Sequence, residues 1–147
     1  MKELMVQKKI TINADASRVW EALTNPELTK KYFFGCEVFS EWKDESPIIF
    51  AADGEIMVQG KILKIIPGKF LQYTVWSAES SADDVPQSYS RVTDEIYDEN
   101  GRTVLAVTQD NFGEDDGAEK RYEDSDRGWD AALLGLKLLL EGPQPQK

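Results

Sequence analysis

The segment from Gly128 to Glu141 sets the strongest constraint on what this chain can become. It reads as a helix in which Trp129, Leu133, Leu136 and Leu140 line one stripe, widened by Ala132 and Leu139. A helix this apolar needs a surface to cover it, and a long strand-rich stretch precedes it. The concave face of a curved sheet is the natural cover. Such an arrangement encloses an interior, and the interior can be a cavity. A homodimer, through an exposed sheet edge or through the outer leucines Leu134 and Leu138, is a further expectation.

The preceding strands follow from alternation and turn chemistry. Leu4 to Asn13 reads as a strand, with Ile10 and Ile12 alternating with Thr11 and Asn13. Asp15 is placed to cap a short helix carrying Val19, Trp20 and Leu23 on one face. Asn25 then caps a second, with Pro26 at its first position, where the missing N–H costs nothing. Beyond Phe33 the signals are those of an antiparallel meander. Ile48 to Ala52 and Glu55 to Ile66 flank Asp53-Gly54, a pair that suits a two-residue turn. Ile56, Val58, Gly60 and Ile62 share one face of the second strand, and Gly60 leaves room there for a bend, a bulge or a bound molecule. Phe70 to Trp76 carries aromatics on both faces, so its inward face is ambiguous. Ser77 to Pro86 reads as a surface loop, and Tyr89 to Tyr97 pairs with Arg102 to Asp110 in a last hairpin.

With 147 residues and 41% hydrophobic content, the chain is expected to form one domain over residues 1–147. A formal charge of −10 repels phosphate backbones and anionic lipid surfaces, so neither nucleic acid nor a membrane is an expected partner. The N-terminal residues lack the apolar run of a signal peptide, and the lone Cys36 permits no internal disulfide; a cytoplasmic location is expected.

Chemistry is constrained mainly by what is missing. With no histidine, a histidine general base, a Ser-His-Asp triad and His-dependent metal sites are excluded. Cys36 reads as a small apolar residue. The acids Asp110, Glu114, Asp115 and Asp116 match no calcium loop, and eight acidic residues between Asp110 and Arg127 read mainly as a solvated surface and the start of the last helix. No catalytic residue, metal ligand or cofactor is assigned.

Aromatics supply the positive signal: Phe33, Phe34, Trp42, Phe50, Tyr73, Trp76, Tyr89 and Trp129 lie on or beside the inferred sheet and helix. The expected lining of an apolar ligand site is Phe33, Trp42, Val58, Ile62, Tyr73, Val92, Val107, Trp129 and Leu133, with Gly60, Thr93 and Gln109 as positions that keep space open.

The order of strand, two short helices, six-strand meander and terminal helix resembles the α+β helix-grip fold of the START-like, Bet v 1-like superfamily. More narrowly, the stretches from Ala16 to Glu27, Phe33-Phe34, Gly60 to Trp76, and Gly128-Trp129 with its helix resemble the Hsp90 ATPase activator homologues. That resemblance implies a curved antiparallel sheet wrapped around the C-terminal helix. It also implies a non-catalytic module holding a small hydrophobic or amphipathic ligand, with two alternatives. One is a stress-response protein that meets a chaperone through the acidic stretch from Asp110 to Asp126 or through the outer sheet face. The other is a cavity enzyme of cyclase or dehydratase type. Without histidine such an enzyme needs Tyr, Asp, Glu or Arg to move protons, for example Tyr73 and Arg91 facing a buried Asp94 or Glu95.

Overall fold

The structure is a computed structural model and describes residues 4–77, 89–113 and 117–141. The expected loop after Ser77, the acids Glu114 to Asp116 and the tail after Glu141 lie outside the described residues. The elements run β1 (Val6–Ile12), α1 (Ala16–Thr24), α2 (Pro26–Tyr32), β2 (Glu37–Ser40), β3 (Pro47–Ala52), β4 (Glu55–Ile66), β5 (Phe70–Ser77), β6 (Ser90–Glu99), β7 (Arg102–Asp110) and α3 (Ala118–Glu141).

The seven strands form one antiparallel sheet in the order β1-β7-β6-β5-β4-β3-β2. Consecutive neighbours from β2 to β7 make the meander that short turns demand, while β1 closes beside β7. Both two-residue turns hold left-handed pairs, Asp53 and Gly54 at φ 53° and 81° and Asn100 and Gly101 at φ 56° and 81°. Positive φ at both central positions fits a strand pair with right-handed twist. Asn25 accepts from the Glu27 N–H at 2.9 Å and starts α2, whereas Asp15 precedes α1 without a side-chain cap.

Period-two alternation fixes which side chains enter the interior. Ile48 and Phe50 of β3, Leu71 and Tyr73 of β5, and Ser90, Val92, Asp94 and Ile96 of β6 are all buried. This settles the inward face of β5. On β4, Ile62 is fully buried but Ile56 is 48% exposed, because the register shift between Phe50 and Ala51 pairs Ile56 with Ala51, the neighbour of the inward Phe50, and so turns it to the outer face. Gly60 opens no cavity. A Cβ there would stand 1.6 Å from the Thr74 carbonyl oxygen, so the position serves a close approach of two backbones.

Helix α3 buries Ala132, Leu133, Leu136 and Leu140 and leaves Leu134 and Leu138 exposed. Each fully covered leucine contributes about 2 kcal/mol of hydrophobic stabilisation. The helix starts at Ala118, well before the apolar segment. Its polar first half carries Ala118 and Tyr122 into a small cluster with Val6 and Phe112. Lys8 of β1 ties that half down through Asp126 at 3.0 Å and Asp130 at 2.9 Å. The result is the helix-grip architecture. No helix among the described residues is long and apolar enough to cross a membrane.

Candidate functional site

A cleft of about 380 Å³ opens between the inner sheet face and the first half of α3. That volume falls in the range of small-molecule pockets. Phe50, Val58, Tyr73, Val75 and Val92 supply its sheet wall, Gly128 and Trp129 its helix wall, and Phe33 and Phe34 its cover. Phe34 sits at φ 56° in the turn after α2, which leaves its ring 62% exposed at the mouth and above Gly128.

The polar groups in the wall are largely satisfied by one another. Trp129 Nε1 donates to Gln109 Oε1 at 2.7 Å, and Gln109 Nε2 donates to Ser90 Oγ at 2.9 Å. Arg121 at the rim donates to the Phe112 carbonyl at 2.9 Å. A wall paired in this way can shed water without stranding its own polar atoms.

Beneath the cleft lies an inner chamber of about 20 Å³, enough for one water-sized group. An aromatic partition separates the two. Phe33 packs on Phe50 at 5.2 Å and on Trp129 at 5.8 Å, and Phe50 meets Tyr73 at 6.0 Å, all within the range of favourable ring contacts. These four residues line both spaces.

Asp94 stands in the chamber wall. Its position follows from β6 alternation, where it takes an interior place between Val92 and Ile96, paired across to Leu71 and Val107. It is 3% exposed, and among the described residues its Oδ1 has no hydrogen-bond partner. Burial pushes its carboxyl up to about 7. Leaving a buried acceptor unpaired costs about 1–3 kcal/mol. The same burial, with Asp94 beside them, raises the Tyr32 and Tyr73 hydroxyls, so both stay protonated.

Of the nine residues expected to line a ligand site, Phe33, Val58, Tyr73, Val92 and Trp129 meet in the cleft, and Leu133 lines the chamber. Ile62 and Val107 are packed solidly in the core at 0% and 1% exposure and border neither space. Trp42 lies in the connection before β3, where its N–H bonds Ser40 Oγ at 3.0 Å, also away from both. Gln109 does line the cleft, whereas Thr93 faces outward and receives Gln72 Nε2 at 3.0 Å. Phe34, Phe50 and Trp76 belong to the aromatic set yet were not among the nine. Asp94 had a readable signal, an acid at an inward position of an apolar strand face. Arg91 turns to the opposite face of β6 and pairs with Asp110 at 2.6 Å, so it does not face Asp94.

Other features carry less. A groove of about 700 Å³ at the far end is lined by charged groups including Arg18, Arg102, Lys137 and Glu141 and offers no apolar container. Cys36 is buried, which raises its thiol and makes it a poor nucleophile. Among the described residues no three His, Cys, Asp or Glu side chains gather as a metal site requires.

Comparison with known proteins places this geometry. A solution structure from Cytophaga hutchinsonii is 35% identical, with 96% of this chain and 97% of that one covered at a TM-score of 0.75. The Aha1 dimer from Colwellia psychrerythraea is 23% identical over 95% and 98% of the two chains, TM-score 0.73. CalU16 from Micromonospora echinospora is 19% identical over 98% and 86%, TM-score 0.71; these last two share the fold. No curated protein matches the chain in sequence. The family described as "Activator of Hsp90 ATPase homolog 1-like protein" matches residues 13–141, and the chain belongs to that family.

Proposed function

We propose that the protein binds a small apolar or amphipathic molecule in the cleft between the sheet and α3. The observation that carries this reading is a 380 Å³ space lined mainly by aromatic and aliphatic side chains, in which Trp129, Gln109 and Ser90 are paired with each other, with Arg121, Asp124 and Ser125 as its further polar lining. Hydrophobic burial supplies affinity in such a site, and the fixed walls limit the entropy lost on binding. Titration with the fluorescent apolar probe N-phenylnaphthylamine tests it. Saturable binding with a Kd on the order of 10 μM is expected. Val58→Trp, which fills the cleft from β4, should weaken it at least about tenfold. Absence of saturable binding by the wild-type protein overturns the reading.

The raised Asp94 carboxyl supports a second reading, proton transfer to a molecule held in the interior. It ranks below binding because the aromatic partition stands between Asp94 and the cleft. Turnover of a bound compound that Asp94→Asn abolishes would reverse that order.

The family description supports a chaperone contact as a third reading. The outward acids of α3, Glu119 and Glu123, would meet a basic surface, and binding would weaken with salt. A low-salt pull-down with Hsp90 that recovers nothing counts against it.

A further inference from the structure

The inner chamber holds an acid that its own walls do not satisfy. Four polar side chains other than Asp94 border it: Thr29, Tyr32, Tyr73 and Trp129. Three of them direct their donors elsewhere. Tyr32 donates to the Ala22 carbonyl at 2.8 Å, Thr29 to the Pro26 carbonyl at 3.3 Å, and Trp129 to Gln109. The remaining walls are Leu23 of α1, Phe33, Ile48 and Phe50, Leu71, Leu105, and Leu133 and Leu136 of α3. Among the described residues, Tyr32 and Tyr73 are the titratable groups that face Asp94, and no lysine or arginine lines the chamber.

An unpartnered acceptor, a space for one heavy atom, and aromatic rings that line both cleft and chamber fit one chemistry. A cation with N–H donors would pair with Asp94 Oδ1 and would be attracted by the faces of Phe33, Phe50 and Trp129 as it passed. The net charge of −10 favours cationic ligands over anionic ones at the mouth as well. We propose that cleft and chamber form one site for hydrophobic primary amines, with the apolar body held between Phe33, Val58 and Trp129 and the ammonium group in the chamber against Asp94. The partition must part for the ammonium to enter, with Phe33 as the moving ring because the Trp129 indole is fixed by Gln109. This inference rests on the reading of the cleft as a ligand site and adds the class of ligand.

Displacement of N-phenylnaphthylamine at pH 8 by phenethylamine and by its neutral isostere propylbenzene tests the two levels separately. Phenethylamine should bind wild-type protein about tenfold or more tightly than propylbenzene, and Asp94→Asn should erase that preference while keeping propylbenzene affinity. If propylbenzene binds and the amine binds no tighter, the chamber holds water only; the amine inference falls and the cleft reading stands. If neither compound binds, nor the probe itself, both fall. A preference for the amine that survives in folded Asp94→Asn also overturns the inference. Should Asp94→Asn fail to fold, titration of the Asp94 carboxyl carbon by NMR in wild-type protein decides. Saturating phenethylamine should lower its midpoint by about one pH unit, and an unmoved midpoint overturns the inference.

Discussion

Trp129 of α3 donates its indole N–H to Gln109 of β7 at 2.7 Å and thereby hangs the helix wall of the cleft on the sheet. Gln109 passes the link to Ser90 of β6 at 2.9 Å, so one glutamine spans both elements. Gln109→Leu strands the indole donor and the Ser90 hydroxyl together. It should destabilise the protein by about 1–3 kcal/mol in urea denaturation. Unchanged stability of Gln109→Leu would mean the link carries no weight.

The Asp94 carboxyl makes stability depend on pH in an unusual direction. Its folded value, about 7, lies above the ordinary 3.8, so the native state holds the proton more tightly than the unfolded chain does. Its contribution is therefore fully present below about pH 4, is lost as pH rises towards about 7, and is flat above. The span is worth about 4 kcal/mol. Wild-type protein should lose stability relative to Asp94→Asn as pH is raised from 5 to about 7, and parallel profiles for the two proteins would contradict the burial argument.

Gly60 tests the close approach of β4 to β5. Gly60→Ala sets a methyl group 1.6 Å from the Thr74 carbonyl oxygen, which belongs to the backbone and cannot swing aside. A loss of about 2 kcal/mol or more is expected, together with altered NMR shifts at Thr74.

Gly128 offers the opposite case. In its helix a Cβ would meet only Phe34 at 3.7 Å, an ordinary contact with a partly exposed ring. Gly128→Ala should stabilise the fold by about 0.5–1 kcal/mol through helix propensity, read as a higher Tm. A fall in Tm would show that the cleft mouth needs the missing side chain.

Local chemistry made much of the fold legible. Asp53-Gly54 suits a tight turn between alternating strands, and the stripe of Leu133, Leu136 and Leu140 needs a sheet to cover it; that the last hairpin turns on Asn100-Gly101 alone came from the pairing of Glu99 with Arg102. The first half of α3 was harder to see because Glu119 to Arg127 is polar on most sides, and its anchors Ala118 and Tyr122 meet partners far away in sequence.

The sequence by itself determined the strand alternation, the turns and the helical stripe, because each rests on spacing within one short segment; the helix-grip arrangement was implied by resemblance along the whole chain. It also put aromatic side chains at Phe33, Tyr73 and Trp129. Only the tertiary structure decided that Ile62 and Val107 are packed solid while Phe50 and Phe34 border open space. It likewise joined Trp129 to Gln109 and, among the described residues, left Asp94 Oδ1 without a hydrogen-bond partner. Such outcomes depend on the distances between elements and the volume their side chains fail to fill, and neither quantity is written in the period of any one segment.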